Sequence, residues 1–219
     1  MSNGNLIWND QDNDKFFICN HSSPGIFQSE IDDNLIDIFT LSSAFTQTFS
    51  KQDECILCSF EGDFIKYNYK EKKIKSEKNV KNYLSKEMKL SFGNYLANPP
   101  FINKCLYSKV NGDVYFGLMN GVIICLKNNF KTNFVKSLHN GALRDLKEFN
   151  QEGLGNEIIT TLGKDKIINA INNEGEIKLS VDLTHFVTED PFMIDSDYLG
   201  NLYYLDENSK NLKIIKLKR

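Results

Sequence analysis

The chain has 219 residues, of which 41% are hydrophobic and 25% are charged, as in an ordinary folded protein. Its formal net charge of −3 gives no overall attraction to phosphates, which counts against general nucleic-acid binding and against anionic membranes. No apolar run is long enough to span a membrane, and the first residues lack the basic start and apolar core of a secretory signal. The five cysteines have no framework spacing, so we expect free thiols in a reducing compartment, the cytoplasm or the nucleus.

The N-terminal segment, residues 1–13, contains the short apolar run Leu6-Ile7-Trp8. We interpret it as the third strand of a repeat whose first two strands are missing, and we expect that residues of the native protein precede Met1. Further along, short apolar or alternating runs bounded by Gly, Asn, Asp and Pro predict strands. The clearest of these runs are 35–41, 54–60, 64–69, 114–118, 122–126, 157–162 and 201–205.

The connections between these runs are also readable. Asn120-Gly121 between two apolar runs predicts a hairpin. Convincing helical periodicity is scarce, and the lysine-rich stretch 71–90 is interpreted as a solvated loop or a frayed surface helix. It belongs to a predicted insertion over residues 70–97, which Asn98-Pro99-Pro100 closes because proline forces extended backbone on the residue before it.

A short pattern recurs along the chain, a turn residue followed by an apolar-rich strand that ends near an Asn or Lys. It is clearest in 61–68 and returns in 120–127 and 165–172. The position before the last residue is occupied by large apolar side chains: Trp8, Tyr67, Leu126, Ile171 and Ile215. The later copies are spaced by roughly the 40–45 residues of a four-stranded propeller blade.

We therefore predict an all-β fold, a partial β-propeller forming a single domain over 1–219. Beside the stub 1–13, the predicted blades are 31–69, 99–128, 139–173 and 180–217.

The repeat resembles the WD40 family in degenerate form, with Trp8-Asn9 and Tyr67-Asn68 in place of the terminal Trp-Asp. The stretch from Asn98-Pro99-Pro100-Phe101 to Leu126, and the closing stretch 181–218, are similar to the WD repeat-containing protein 53 family. The resemblance covers about residues 95–219. It implies part of a ring of about seven blades that binds other proteins without being an enzyme.

The family resemblance also implies specific structural residues. Its members pair a His in the loop before a blade with an Asp in the turn before the third strand, often through a Ser or Thr. His139, Thr161 and Asp165 match these places in one blade, with Ile171 where the family has Trp. In the last blade, His185 and Asp206 match two of them.

The 53-type resemblance implies one partner more specifically, because those proteins look like substrate receptors of cullin-RING ubiquitin ligases. Receptors of that class carry Trp-Asp-x-Arg at the end of a third strand. Here the corresponding stretches, Trp8-Asn9-Asp10-Gln11 and Tyr67-Asn68-Tyr69-Lys70, lack the Arg.

Partner-binding candidates come from the loops before each first strand, because those loops gather at the mouth of a propeller channel. They are Asn98, Phe101, Asn140, Ala142, Arg144 and Phe186. Arg144 is singled out because a guanidinium recognises a carboxylate with two parallel hydrogen bonds. The alternative for Arg144 is a surface salt bridge with Asp145 or Glu148.

Other chemistry-bearing residues favour no catalytic, cofactor or metal site. Cys55 and Cys58 lie in a predicted strand, where residues three apart point to opposite faces and cannot share one metal. The chain has three histidines and no Gly-x-Ser-x-Gly, and its carboxylate clusters are explained by turns.

The alternatives to a non-enzymatic interaction scaffold are a propeller-fold hydrolase or a nucleic-acid-associated WD40 subunit. The second would gather lysines with aromatic residues on one face: Lys66, Lys70, Lys72, Lys73 and Lys75.

Overall fold

The computed structural model describes most of the chain as antiparallel β-sheet. The described residues are 4–10, 15–21, 36–40, 44–49, 54–68, 71, 73–87, 101–108, 111–149, 158–187, 191–196, 201–206 and 211–216. For the described residues up to 49, the structure gives the path of the backbone alone.

Within the described residues, eighteen strands form five sheets. The first sheet contains β1 (Gly4–Asp10), β2 (Lys15–His21) and β3 (Ile36–Thr40). The second contains β4 (Ala44–Phe49), β5 (Glu54–Ser59), β6 (Asp63–Asn68) and β7 (Lys73–Asn79). The third contains β8 (Ile102–Tyr107), β9 (Val114–Leu118), β10 (Val122–Leu126) and β11 (Thr132–Ser137). The fourth contains β12 (Leu143–Phe149), β13 (Ile158–Gly163), β14 (Ile167–Ile171) and β15 (Ile177–Asp182). The fifth contains β16 (Pro191–Ser196), β17 (Asn201–Asp206) and β18 (Asn211–Lys216).

Each sheet is a meander in which the strands pair in chain order. The first strands of successive sheets, β1, β4, β8, β12 and β16, pack side by side in that order. The sheets therefore stand as propeller blades, each with its first strand innermost. This arrangement confirms the all-β propeller prediction.

The repeat position is confirmed in four copies and wrong in one. Tyr67, Leu126, Ile171 and Ile215 all lie in the third strand of their sheet, and Asn120-Gly121 forms the predicted hairpin between β9 and β10. Trp8, in contrast, lies in β1, the first strand of its sheet, which pairs with the following β2. An apolar run that ends in Asn is not specific enough to fix a strand's place within a blade.

The observed blades differ from the predicted ranges because the fourth strands carry little apolar signal. Residues 73–79 pair with β6 as an outer strand, although the sequence predicts them as part of a loop or helical insertion. Most side chains of this strand are exposed, so no buried face imposes alternation on its sequence. Likewise β11 and β15 extend the third and fourth blades beyond residues 128 and 173, while Ile36–Thr40 pairs within the first sheet.

One single-turn 3-10 helix, Val80–Tyr83, follows β7, and the Asn79 side chain caps its start by accepting a hydrogen bond from Lys81 N. Among the described residues, no helix is long and apolar enough to cross a membrane.

The core is divided into layers, each lying between two neighbouring sheets. The rings of Phe64 and Phe116 contact each other between the second and third sheets, with their centroids 4.6 Å apart and their planes tilted by 40°. Tyr115 and Leu143 belong to the layer between the third and fourth sheets. Because Tyr115 and Phe116 are adjacent in β9, that strand buries side chains on both faces, and its continuous apolar sequence follows from this burial.

Gly117 is required by this layered packing. A methyl group at that position of β9 would overlap the Leu143 side chain of the next sheet. We expect Gly117→Ala to lower the free energy of unfolding by about 1–3 kcal/mol, because the packed sheets must separate to accommodate it. Urea denaturation followed by circular dichroism measures the loss.

The control is the double variant Gly117→Ala/Leu143→Ala. Shortening Leu143 makes room for the new methyl group, so the double variant should lose less than the sum of the two single losses. If the double variant loses the full sum of the two single losses, contact with Leu143 is not the reason why alanine at position 117 is unfavourable.

Candidate interaction face

The loops before first strands and the turns between second and third strands lie at the same end of the blades, as the antiparallel meander requires. Hydrogen bonds join them directly: Gly121 O accepts from Leu138 N at 3.1 Å, and Ala142 O accepts from Lys164 N at 2.8 Å. Leu183 N likewise donates to Lys166 O at 2.8 Å. We call this end of the blades the loop face; it consists of residues 60–62, 101, 119–121, 138–142, 164–166 and 183–187.

His139, Thr161 and Asp165 come together beneath the loop face. His139 Nδ1 lies 3.0 Å from Asp165 Oδ1, and His139 Nε2 lies 2.7 Å from Thr161 Oγ1. The Asp165 carboxylate also accepts the backbone N–H of Asn140 at 2.8 Å and that of Ile167 at 3.2 Å. One carboxylate therefore fixes the turn between β13 and β14 and the loop that leads into β12.

This arrangement has the connectivity of a hydroxyl–imidazole–carboxylate catalytic triad, but burial assigns it a structural role. Thr161 and the His139 side chain are both 0% exposed, so no substrate carbonyl can reach the hydroxyl. Burial lowers the pKa of His139 below its usual value, and the neighbouring Asp165 carboxylate opposes that shift. A neutral imidazole that uses both nitrogens satisfies the buried polar groups around it.

Two residues that support this cluster were not predicted. Asn169 donates from Nδ2 to Leu138 O at 3.1 Å, and its own backbone oxygen lies 3.3 Å from Thr161 Oγ1. Gly163 lies under the imidazole and the carboxylate, where a Cβ would overlap both. A glycine at the end of a predicted strand is the signal that could have indicated such a close approach.

The partner-binding candidates occupy different environments. Asn140 is exposed and Ala142 is buried. The ring of Phe101 lies 4.1 Å from that of Phe60, so these two half-buried aromatics form one apolar feature of the loop face. Asn98 lies outside the described residues.

Arg144 is the bulged residue of β12, since the pairing with β13 shifts between Leu143 and Asp145. As the extra residue of the bulge, Arg144 does not follow the regular alternation of side chains between the two faces of the strand. Glu148, one of its two predicted salt-bridge partners, accepts a hydrogen bond from Ser108 Oγ at 2.7 Å.

Asp145, the other predicted salt-bridge partner, connects three blades. Its carboxylate accepts Leu146 N at 3.0 Å within β12 and Ile194 N at 3.0 Å from β16. Lys104 of β8 approaches it at 3.9 Å. Burial raises the pKa of Asp145, and the hydrogen bond from Ile194 partly opposes this shift. The residue therefore links the inner strands of the fourth and fifth sheets.

The last blade contributes an exposed pair of loop residues. His185 is exposed rather than buried like His139, and Phe186 is 63% exposed. Asp206 ends β17, and its side chain lies outside the described structure. The expected His185–Asp206 pair therefore stays a prediction.

The thiols of β5 lie in the core. Cys55 and Cys58 are fully buried, and burial raises the pKa of Cys55 to about 12. A thiol held in its neutral form is a poor nucleophile and a poor metal ligand. In the part of the chain that the structure describes, no three metal-ligating side chains converge.

The lysines that a nucleic-acid site would need are engaged with other side chains in two of the three described cases. Lys66 lies 2.7 Å from Glu54 and 3.1 Å from Asn128 Oδ1. Lys75 pairs with Glu71 at 2.5 Å. Lys73 is exposed on β7, while Lys70 and Lys72 lie outside the described residues.

Comparison with known proteins identifies the fold. No protein-family model matches the chain, and no curated protein matches its sequence. A structure of U3-55K matches with a TM-score of 0.56 and 9% identity, over 78% of this chain and 51% of that one. A crystal structure of RRP9 WD40 repeats matches with a TM-score of 0.57 and 8% identity, over 78% of this chain and 50% of that one. The chain thus has the WD40-type propeller fold and spans about half the length of these two structures.

The buried imidazole makes stability depend on pH. Below the ordinary histidine value of 6.5 the unfolded chain takes up a proton at residue 139, whereas the folded chain does so only at lower pH. Stability contributed by neutral His139 is therefore present above 6.5 and is lost as the pH falls toward the lowered folded-state pKa. From about pH 7 to about pH 5 we expect His139→Gln to reduce the slope of unfolding free energy against pH, by up to about 1.4 kcal/mol per pH unit.

The matched control is His185→Gln, which removes an exposed imidazole and leaves His139 in place, so this variant should keep the pH-dependent loss of stability assigned to His139. Urea titrations at several pH values measure all three proteins. Equal slopes for His139→Gln and wild type would contradict a neutral, buried His139.

Proposed function

We propose that the chain is a protein-interaction scaffold of the WD40 type that binds a partner through its loop face. The observation that carries this proposal is Phe186, a ring that is 63% exposed on a loop with a fixed backbone. Phe186 N donates to Leu183 O at 2.8 Å, its carbonyl accepts from Lys213 Nζ at 2.8 Å, and Val187 beside it is buried. An aromatic side chain has only two rotatable bonds, so on a backbone already fixed in the free protein it loses little conformational entropy on binding.

The neighbouring loop supports the same role. The hydrogen bonds of Asp165 and Gly121 hold residues 138–142, so this loop also offers a defined surface. Arg144 follows the loop at a bulge, where a guanidinium can receive a partner's carboxylate through two hydrogen bonds. The partner we infer is a protein segment that presents an apolar group for Phe186 and a carboxylate for Arg144.

A narrower form of the proposal is a substrate-receptor-like adaptor for a cullin-RING ubiquitin ligase, as the 53-type resemblance implies. No Arg stands where such receptors carry one in Tyr67-Asn68-Tyr69-Lys70. Co-purification of ligase subunits with the tagged chain from its source cells would support this form, and their absence would leave the general scaffold proposal standing.

Truncating the two proposed contact residues should weaken partner binding. An aromatic anchor at the centre of an interface contributes about 2 kcal/mol or more, so Phe186→Ala should lower affinity roughly 30-fold. Arg144→Lys keeps the charge but loses the paired hydrogen bonds, and it should also weaken binding. Crosslinking capture from source-cell extract with quantitative mass spectrometry identifies the partner, and titration with the purified partner gives the affinities.

Ile177→Ala is the matched control for Phe186→Ala. Ile177 is 49% exposed, but it begins β15 at the opposite end of the blade from the loop face. The variant should bind the partner as well as wild type does. A partner that is lost with Ile177→Ala and retained with Phe186→Ala would place the interface elsewhere.

A further inference from the structure

Asn-Gly dipeptides are chemically reactive, because glycine has no side chain to hinder its nitrogen from attacking the preceding carboxamide. The chain contains four of them: Asn3-Gly4, Asn111-Gly112, Asn120-Gly121 and Asn140-Gly141. Asn3 lies outside the described residues. Attack requires a carboxamide that can rotate and a glycine N–H that is not hydrogen-bonded. The hydrogen bonds at the other three sites therefore indicate which of them reacts fastest.

Asn111 is held at both ends of its side chain. Its Oδ1 accepts Asp113 N at 2.8 Å, and its Nδ2 lies 3.3 Å from the Tyr115 hydroxyl. The nitrogen that would attack it, Gly112 N, donates to Ser108 O at 3.0 Å. Reaction at Asn111 must therefore break several hydrogen bonds first.

Asn120 is held in a similar way. Its Oδ1 accepts Val122 N at 3.2 Å, which is the bond of an Asx turn. Gly121 N donates to Leu118 O at 3.1 Å and closes the β9–β10 hairpin. Both reacting groups are again engaged.

Asn140 differs from both. Its backbone N–H donates to Asp165 Oδ2, but among the described residues neither its carboxamide nor Gly141 N–H has a hydrogen-bond partner. The residue is exposed, so the leaving ammonia and the incoming water have free access. Gly141 has a φ of 110°, a conformation that only glycine adopts readily and that keeps this position unhindered.

We propose that Asn140 is a site of spontaneous deamidation on the loop face. Gly141 N attacks Asn140 Cγ and forms a C–N bond while the carboxamide nitrogen leaves as ammonia, giving a five-membered cyclic imide. Water then opens the imide at either carbonyl and yields aspartate or isoaspartate. The sum is amide plus water to carboxylic acid plus ammonia, with no oxidant, cofactor or enzyme required.

The product changes the loop that the Asp165 carboxylate holds. Aspartate at 140 adds a negative charge beside Asp165, and isoaspartate also inserts a methylene into the backbone between His139 and Gly141. Insofar as the loop face binds a partner as proposed above, deamidation would slowly remodel that surface. The reaction itself does not depend on any partner.

The test incubates the folded 219-residue chain in mildly alkaline buffer and follows amide-to-acid conversion by mass spectrometry of tryptic peptides. Trypsin places Asn140 alone in peptide 137–144 and places Asn111 and Asn120 together in 110–127, where fragmentation separates them. Because the other two sites must first open two or three hydrogen bonds, Asn140 should convert about tenfold faster or more.

Two controls make the result decisive. In concentrated urea the three rates should converge, since the dipeptide is the same and the folded-state bonds are gone. Asn140→Gln should abolish conversion in 137–144 and leave 110–127 unchanged. Conversion at Asn111 or Asn120 as fast as at Asn140 in the folded protein, or conversion at Asn140 only after unfolding, would overturn the proposal.

Partner affinity of Asn140→Asp is measured separately. An unchanged affinity would count against a role for this loop in binding and would leave the deamidation result intact.

Discussion

Every inner blade of this fold must bury both of its faces against neighbouring blades, and most other features follow from that constraint. The strand β9 shows it directly, because Phe116 faces the second sheet while Tyr115 faces the fourth. A sheet buried on both sides has no room for a polar side or for an extra methyl group. Exposed polar residues therefore lie mainly in the loops and in the outermost strands, such as β7 and β15.

The same constraint explains why buried polar groups appear where two blades meet. The inner strands of adjacent sheets have no shared ladder of backbone hydrogen bonds, so side chains must connect them. Asp145 does this between β12 and β16 by accepting Ile194 N. At the loop face, His139 and Asp165 join the loop that leads from the third sheet to the fourth to the turn after β13.

Burial, rather than connectivity, separates this cluster from a catalytic one. The distances within His139, Thr161 and Asp165 would suit proton transfer to a nucleophile. A general base, however, needs access to substrate and a pKa near the working pH, while His139 is buried with a lowered pKa and its hydroxyl partner, Thr161, is buried as well. The same three residue types thus hold a turn together.

The strands whose positions are best predicted from the sequence are those buried on both faces. The third strands containing Tyr67, Leu126 and Ile171 were placed correctly, because short continuous apolar runs bounded by turn residues are typical of strands buried on both faces. The outer strand 73–79 was missed, since an exposed strand rich in lysine carries the composition of a loop. Its identity comes from backbone pairing with β6, which leaves no periodic trace in the sequence.

At the candidate site, too, some residues can be predicted from the sequence and others depend on packing. A family resemblance was enough to select His139, Thr161 and Asp165, because polar residues at fixed places in a repeat have few alternative roles. The contributions of Gly163 and Asn169 depend on which atoms approach them from another strand, and this is set by packing. The contrast between Asn120 and Asn140 also lies beyond sequence, as both precede a glycine and only their hydrogen bonds distinguish them.

In the fifth sheet, the two faces differ in burial among the described residues. Ile194 and Tyr204 are buried against the fourth sheet, whereas Met193 and Ile214, which alternate with them, are 42% and 54% exposed. This blade therefore gains apolar burial from one side, together with the hydrogen bond from Ile194 N to Asp145. In a repeat fold stability is close to a sum of neighbour interfaces, so the interface with the fourth sheet contributes directly to holding this blade. Phe186 lies in the loop that joins this blade to the fourth, and Lys213 of β18 donates to its carbonyl, so the geometry of the loop face at Phe186 depends on the packing of the fifth sheet against the fourth.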